Sequence, residues 1–165
     1  MKAVVVYESL WGNTAAVGRA IAEGIGSGAT VLTTDQATPA ALEGAELIVA
    51  GAPLLGFALP TDEMRANIRA NPGKCPAPPD LAHPSMRSWL DALPNGTGRA
   101  AAFETRIWWS PGSAAKTILE GLTARGYRPA GDGQRFIVAG RCGPLRDGEL
   151  EKARAWGAEL ARATG

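Results

Sequence analysis

The chain has 165 residues, 45% of them hydrophobic and 20% charged. That is the make-up of one globular domain with its own core, far from the charge-rich disordered class. Seventeen Lys and Arg stand against sixteen Asp and Glu, a formal net charge of +1, which is too weak a field for nucleic acid or an anionic membrane to be the main partner. His83 is the single histidine, and Cys75 and Cys142 are the only cysteines. Without a CxxC or Cys/His cluster, a zinc site, a Ser-His-Asp triad and a Cys-His pair are all disfavoured. One bridge between the two cysteines is open, but no spacing requires it. The apolar run Ala3–Tyr7 stops at Glu8 and Ser9, too short for a signal peptide or a membrane span. The expectation is a cytoplasmic protein with no metal.

Short apolar runs alternate with helical patterns along the chain. Ala3–Tyr7 is β-branched and continuous, as in a strand buried on both faces. Val17, Ile21 and Ile25 then mark one face of a helix that stops at Gly26 and Gly28. Ala29–Thr33 reads as the second strand. Thr38-Pro39 is a cap followed by proline at the first helical position. Leu47–Gly51 is a third buried strand. Ser85 caps a short helix with Met86, Trp89, Leu90 and Leu93 on its apolar face. Ala100–Glu104 is the fourth strand. Ser113 caps a helix facing inward through Ala115, Ile118, Leu119 and Leu122. Arg135–Gly140 is the fifth strand, and Asp147 is placed to cap the last helix.

Five strands alternating with about five helices predict an α/β domain, residues 1–165, with a parallel sheet covered on both faces. The stretch Thr61–Pro84 breaks the rhythm. Prolines at 72, 76, 78, 79 and 84 rule out regular structure after about Asn71 and make it an excursion between the third strand and the Ser85 helix, and a loop that long is usually functional or disordered.

In an open parallel sheet, ligands bind at the carboxyl ends of the strands. After the first strand come Ser9, Leu10, Trp11, Gly12, Asn13 and Thr14, opening a helix. Backbone N–H groups there make an anion site, with hydroxyls on Ser9 and Thr14. No Lys or Arg lies in this loop, and the Walker and GxGxxG patterns are missing. Neutral donors and the helix dipole suit a monophosphate terminus. From these residues alone the loop is either that or a plain, well-capped turn.

The stretch Tyr7–Thr14 resembles the FMN-phosphate loop of the flavodoxin family, roughly [ST]-x-[ST]-G-x-T, through Ser9, Gly12 and Thr14. Trp11 departs from it, where many members carry a hydroxyl. The resemblance covers essentially the whole chain. It implies a three-layer, doubly wound flavodoxin-like fold with a five-stranded sheet in the order 2-1-3-4-5, and FMN as cofactor. It also implies two ring-binding loops. One is Pro53, Leu54, Leu55, Gly56 and Phe57, offering an apolar face to the ring. The other is Thr105, Arg106, Ile107, Trp108 and Trp109, where one tryptophan is expected to stack on the ring and Arg106, if aimed at the pyrimidine edge, would favour the anionic reduced flavin and raise its potential. Against these stand a core-closing role for the leucines, a docking patch for the tryptophans and a solvated rim position for Arg106.

The functional expectation that follows is an electron-transfer protein without catalytic residues of its own, working between a reductase and an acceptor protein. Its alternatives are a flavodoxin-fold interaction module that has lost FMN, and a small NAD(P)H-dependent quinone or nitro reductase. Carriers in the family are typically acidic, and this chain is not. Cys142 is read as a small filler near the rim, Cys75 as exposed, His83 as a loop residue, and Trp89 and Trp156 as core.

Overall fold

The computed structural model describes residues 1–165. Its elements in chain order are β1 (Ala3–Tyr7), α1 (Asn13–Ile25), β2 (Ala29–Thr33), α2 (Pro39–Leu42), β3 (Leu47–Pro53), α3 (Asp62–Ala70), α4 (Met86–Ala92), β4 (Arg99–Arg106), α5 (Ala114–Ala124), β5 (Arg128–Pro129), β6 (Gln134–Ile137) and α6 (Glu149–Thr164). All strands are parallel, in the order β2-β1-β3-β4-β5, with β6 also on β4.

Side chains alternate across the sheet with the strand period of two. Val4, Val6, Ile48, Ala50 and Ala52 point to one face and pack with Trp89, Leu90, Ile118 and Leu122 of α4 and α5. Ala3, Val5, Leu47, Val49 and Phe103 point to the other and pack with Val17, Ile21, Ala153 and Leu160 of α1 and α6. Burying Phe103 completely contributes about 3 kcal/mol, and its ring meets Phe136 edge-on at 6.2 Å. The helices α1 and α6 touch backbone to backbone. A Cβ on Gly157 would stand 2.2 Å from the Ile21 carbonyl oxygen, so only glycine fits that crossing.

Thr38, Ser85 and Ser113 cap α2, α4 and α5 through side-chain oxygens that accept N–H bonds from Ala41, Ser88 and Lys116. The last helix differs from expectation. It begins after Gly148, whose φ of 86° makes the turn, and Asp147 does not cap it.

One other expectation is corrected. The fifth strand is two short pieces on one edge. Arg128–Pro129 pairs with Arg99 and Ala100, and Gln134–Ile137 pairs with Phe103–Arg106. The N–H groups of Arg128 and Ala130 carry this short ladder on either side of Pro129, and Gly131 then turns the chain away at φ 139°. The Val138 N–H makes the last bond to β4, at the Arg106 carbonyl, and Val138 also bridges back to Leu145. The excursion is irregular after Asn71, as expected, and before that it holds a helix the sequence reading did not name. Thr61 caps α3 by accepting the Met64 N–H, and Asp62 and Glu63 sit in the positive first turn.

Candidate functional site

A cavity of about 380 Å³ opens at the carboxyl ends of β1, β3 and β4, within the usual range of about 300–1,000 Å³ for small-molecule sites. The loop after β1 supplies Leu10, Trp11, Asn13 and Thr14, and the loop after β3 supplies Pro53, Leu54, Leu55 and Gly56. The end of β4 and its loop supply Thr105, Arg106, Ile107 and Ser110. Three further contributors went unseen in the sequence: Met64, Asn67, Ile68 and Asn71 of α3 and its end, Val138, and Arg141.

The first loop is built around Ser9. Its Oγ accepts the N–H groups of Gly12 and Ala15, each at 3.2 Å, so Ser9 shapes the turn from inside. Gly12 precedes α1 at φ 91°, and α1 has no side-chain cap. The N–H groups of Asn13 and Thr14 make no hydrogen bond within the protein and stand open at the helix's positive end. The Thr14 and Thr105 hydroxyls meet at 2.8 Å, tying this loop to β4. Trp11 Nε1 is buried without a partner.

Behind the loop lies a buried polar network. Glu8 Oε2 is 2.6 Å from Arg65 Nη1, and Glu8 Oε1 accepts the Met86 N–H at 2.9 Å. Burial pushes the Glu8 carboxyl above its ordinary range, opposed by the Met86 N–H and by Arg65. Arg65 Nη2 also donates to the His83 carbonyl, while the Ser9 N–H donates to His83 Nε2 at 3.2 Å. His83 is therefore a buried acceptor fixing the loop, where sequence suggested an ordinary loop residue. The Asp80 N–H reaches the Leu10 carbonyl at 2.8 Å. The proline-rich segment is thus a strap across the outer side of the first loop.

Cys75 of the strap is disulfide-bonded to Cys142, with Cα atoms 5.9 Å apart. The bridge that the sequence left open is formed, and Cys142 is not the small filler expected of it. The bridge draws the loop after β6 onto the first loop. Gly143 abuts the Asn13 side chain so closely that a Cβ there would be 2.6 Å from Oδ1. Arg141 lies over the Trp11 ring at 5.1 Å.

The loop after β3 is a tight reversal. Leu55 and Ala58 exchange two backbone hydrogen bonds at 2.9 Å across Gly56 and Phe57, both left-handed. Leu54 is buried and donates its N–H to the Thr105 carbonyl.

Arg106 corrects one sequence reading of it. It is 3% exposed, so it is no rim arginine. Its Nη1 donates to Glu104 Oε2 at 3.2 Å and to the Gly112 carbonyl at 2.8 Å. Glu104 Oε1 in turn accepts from the Ser113 hydroxyl and the Ala115 N–H. The arginine lines the cavity with its charge matched by a buried carboxylate. Trp108 and Trp109 are 62% and 61% exposed, and neither lines the cavity, nor does Phe57 at 55%. The three form an apolar rim beside it, where the two loops touch at Gly112 and Phe57. No group of three His, Cys, Asp or Glu side chains is placed to hold a metal ion. No helix is long and apolar enough to cross a membrane.

Solved structures share this architecture over essentially the whole of this chain. A flavodoxin from the domain Archaea superposes with a TM-score of 0.70 at 23% identity, covering 99% of each chain. The chain has the flavodoxin-like fold. Oxidised flavodoxin 1 from Bacillus cereus follows at 0.67 and 22%, covering 98% of each chain. A flavodiiron core from Synechocystis scores 0.63 at 20%, with 99% of this chain matching 36% of that one. No protein-family model and no curated protein matches the sequence. At these identities the likeness is one of fold.

Proposed function

We propose that this flavodoxin-like domain binds FMN and passes electrons between a reductase and an acceptor protein. The observation that carries the reading is the pairing, in one cavity, of an anion-binding end with an apolar slot. Asn13 and Thr14 offer two open N–H groups at the start of α1, and Leu54, Leu55, Ile107 and Val138 line the remainder. That donor set fits a phosphate on a flat apolar ring. FMN, when bound, supplies the one- and two-electron chemistry.

The protein's part is to hold and shield. The Ser9–Thr14 loop takes the phosphate. Pro53–Gly56 and Thr105–Ile107 flank the ring and limit water access. Arg106, already paired with Glu104, places little uncompensated positive charge there, which favours a lower potential than a lone arginine would give. No side chain is required as acid, base or nucleophile. Phe57, Trp108 and Trp109 offer the partner proteins an apolar landing place beside the ring. Their exposure also favours the second reading, an interaction module without flavin.

A visible absorption spectrum of the purified protein, with an FMN titration, tests the proposal. A flavin band, or saturable uptake at micromolar FMN, is the expected result. No band and no uptake would reject it in favour of the interaction module.

A further inference from the structure

The loop after β1 contains no cation, yet the fold brings one to it from about 130 residues away. Arg141 lines the cavity beside Leu10, Trp11, Asn13 and Thr14. Its guanidinium carbon sits 5.1 Å from the Trp11 ring centroid. It makes no ion pair and no hydrogen bond with the protein. The other arginine of the cavity, Arg106, is already engaged by Glu104. Arg141 is therefore the uncommitted charge of the site.

We propose that Arg141, stacked on Trp11 and seated by the Cys75–Cys142 bridge, is the cation that binds the phosphate monoester of the ligand. This rests on the FMN reading above. A guanidinium presents a planar fork of donors that matches phosphate oxygens two at a time. Stacking on the indole fixes its orientation in advance, so less side-chain freedom is lost on binding. The backbone carrying it is held on both sides. Cys142 is bonded to the strap, Gly143 presses on Asn13, and the Ala139 N–H closes the loop onto the Pro144 carbonyl at 2.9 Å. Asn13 is the residue whose open N–H begins α1. One loop thus places a positive side chain and two backbone donors around one anion. Trp11 takes the place of a hydroxyl residue here, and its unpartnered indole N–H is a further donor in the same loop. What the loop lacks as a hydroxyl it regains as an aromatic platform for a cation.

The test compares two ligands differing only in the phosphate, FMN and riboflavin, by flavin fluorescence on the oxidised protein. Arg141→Gln is expected to raise the Kd for FMN about tenfold, the scale of one charge-assisted contact. The Kd for riboflavin should move less than twofold. Arg141→Lys, which keeps the charge and loses the fork, should fall between. Added salt should weaken FMN binding in the unaltered protein more than in Arg141→Gln. Far-ultraviolet circular dichroism checks that the variants are folded. An unchanged ratio of FMN to riboflavin affinity in Arg141→Gln would overturn the assignment while leaving FMN binding intact. A protein that binds neither flavin would overturn the FMN reading and this proposal with it.

Discussion

Glu8 and Arg65 are 57 positions apart and meet at 2.6 Å with both side chains out of water. Glu8 directly follows β1 and Arg65 lies in the middle of α3. The pair joins the back of the first loop to the strap, because Arg65 also holds the His83 carbonyl and His83 holds the Ser9 N–H. At a pH where Glu8 is ionised, removing one partner of a buried pair strands the other charge, at a cost of about 3–5 kcal/mol. Arg65→Met should therefore lower unfolding free energy by about 3 kcal/mol. The double variant Glu8→Gln with Arg65→Met should recover much of that loss. Urea unfolding of the four proteins in a double-mutant cycle measures the coupling. Additive effects would mean that the two groups do not stabilise each other.

Burial holds the Glu8 carboxyl above its ordinary value of 4.5. The folded protein then keeps this proton where the unfolded chain has released it. Stability from this group is full below the unfolded value and is lost as pH rises through the folded one. Glu8→Gln carries no such proton. The stability advantage of the unaltered protein over Glu8→Gln should shrink as pH rises from 4 toward 7, in urea titrations at fixed salt. An advantage that grows with pH would mean that the attraction of Arg65 outweighs desolvation.

Phe57 stands at φ 68°, a left-handed conformation, in the turn Leu55–Ala58, and its side chain is largely in water. A residue with a Cβ is strained there by about 1–2 kcal/mol, and glycine is not. Phe57→Gly should raise stability, by less than that strain because glycine adds freedom to the unfolded chain. A rise in Tm of a few degrees is expected. If Phe57 meets a partner at the rim, the same variant should weaken that association, seen as a slower electron-transfer rate at limiting partner. A fall in Tm would mean that the ring makes packing contacts worth more than the strain.

Strands were legible because a short β-branched run has few other uses. Ala3–Tyr7 and Ala29–Thr33 match the structure residue for residue. Caps were legible where a hydroxyl precedes a proline or an apolar face, as at Thr38, Ser85 and Ser113. The helix α3 was overlooked since the prolines after it dominated the stretch, although Thr61-Asp62-Glu63 is a start signal. At the cavity, the three loops predicted from the β1, β3 and β4 ends do converge. Arg65, His83 and Arg141 were not legible. Each reaches the first loop from more than fifty residues away, so no local spacing marks it. The exposure of Trp108 and Trp109 was not legible either, because the direction of a side chain in an irregular loop depends on tertiary packing that no local spacing encodes.

The Cys75–Cys142 bridge spans 67 residues and fastens the strap to the loop that carries Arg141. In the chain-entropy view, closing a loop of that length stabilises the fold by up to about 4 kcal/mol. A reducing cytoplasm would keep the pair as two thiols, whereas an oxidising compartment would preserve the bond. Reduction, or Cys75→Ser, should lower unfolding free energy by about 2–4 kcal/mol, read from urea curves with and without dithiothreitol. It should also loosen the seat of Arg141 on Trp11. FMN affinity should then fall while riboflavin affinity holds, the same signature as Arg141→Gln. Thiol titration of the unfolded protein before and after reduction fixes how many cysteines were bonded. If reduction costs stability and leaves the FMN-to-riboflavin ratio unchanged, the bridge braces the strap and has no part in presenting Arg141.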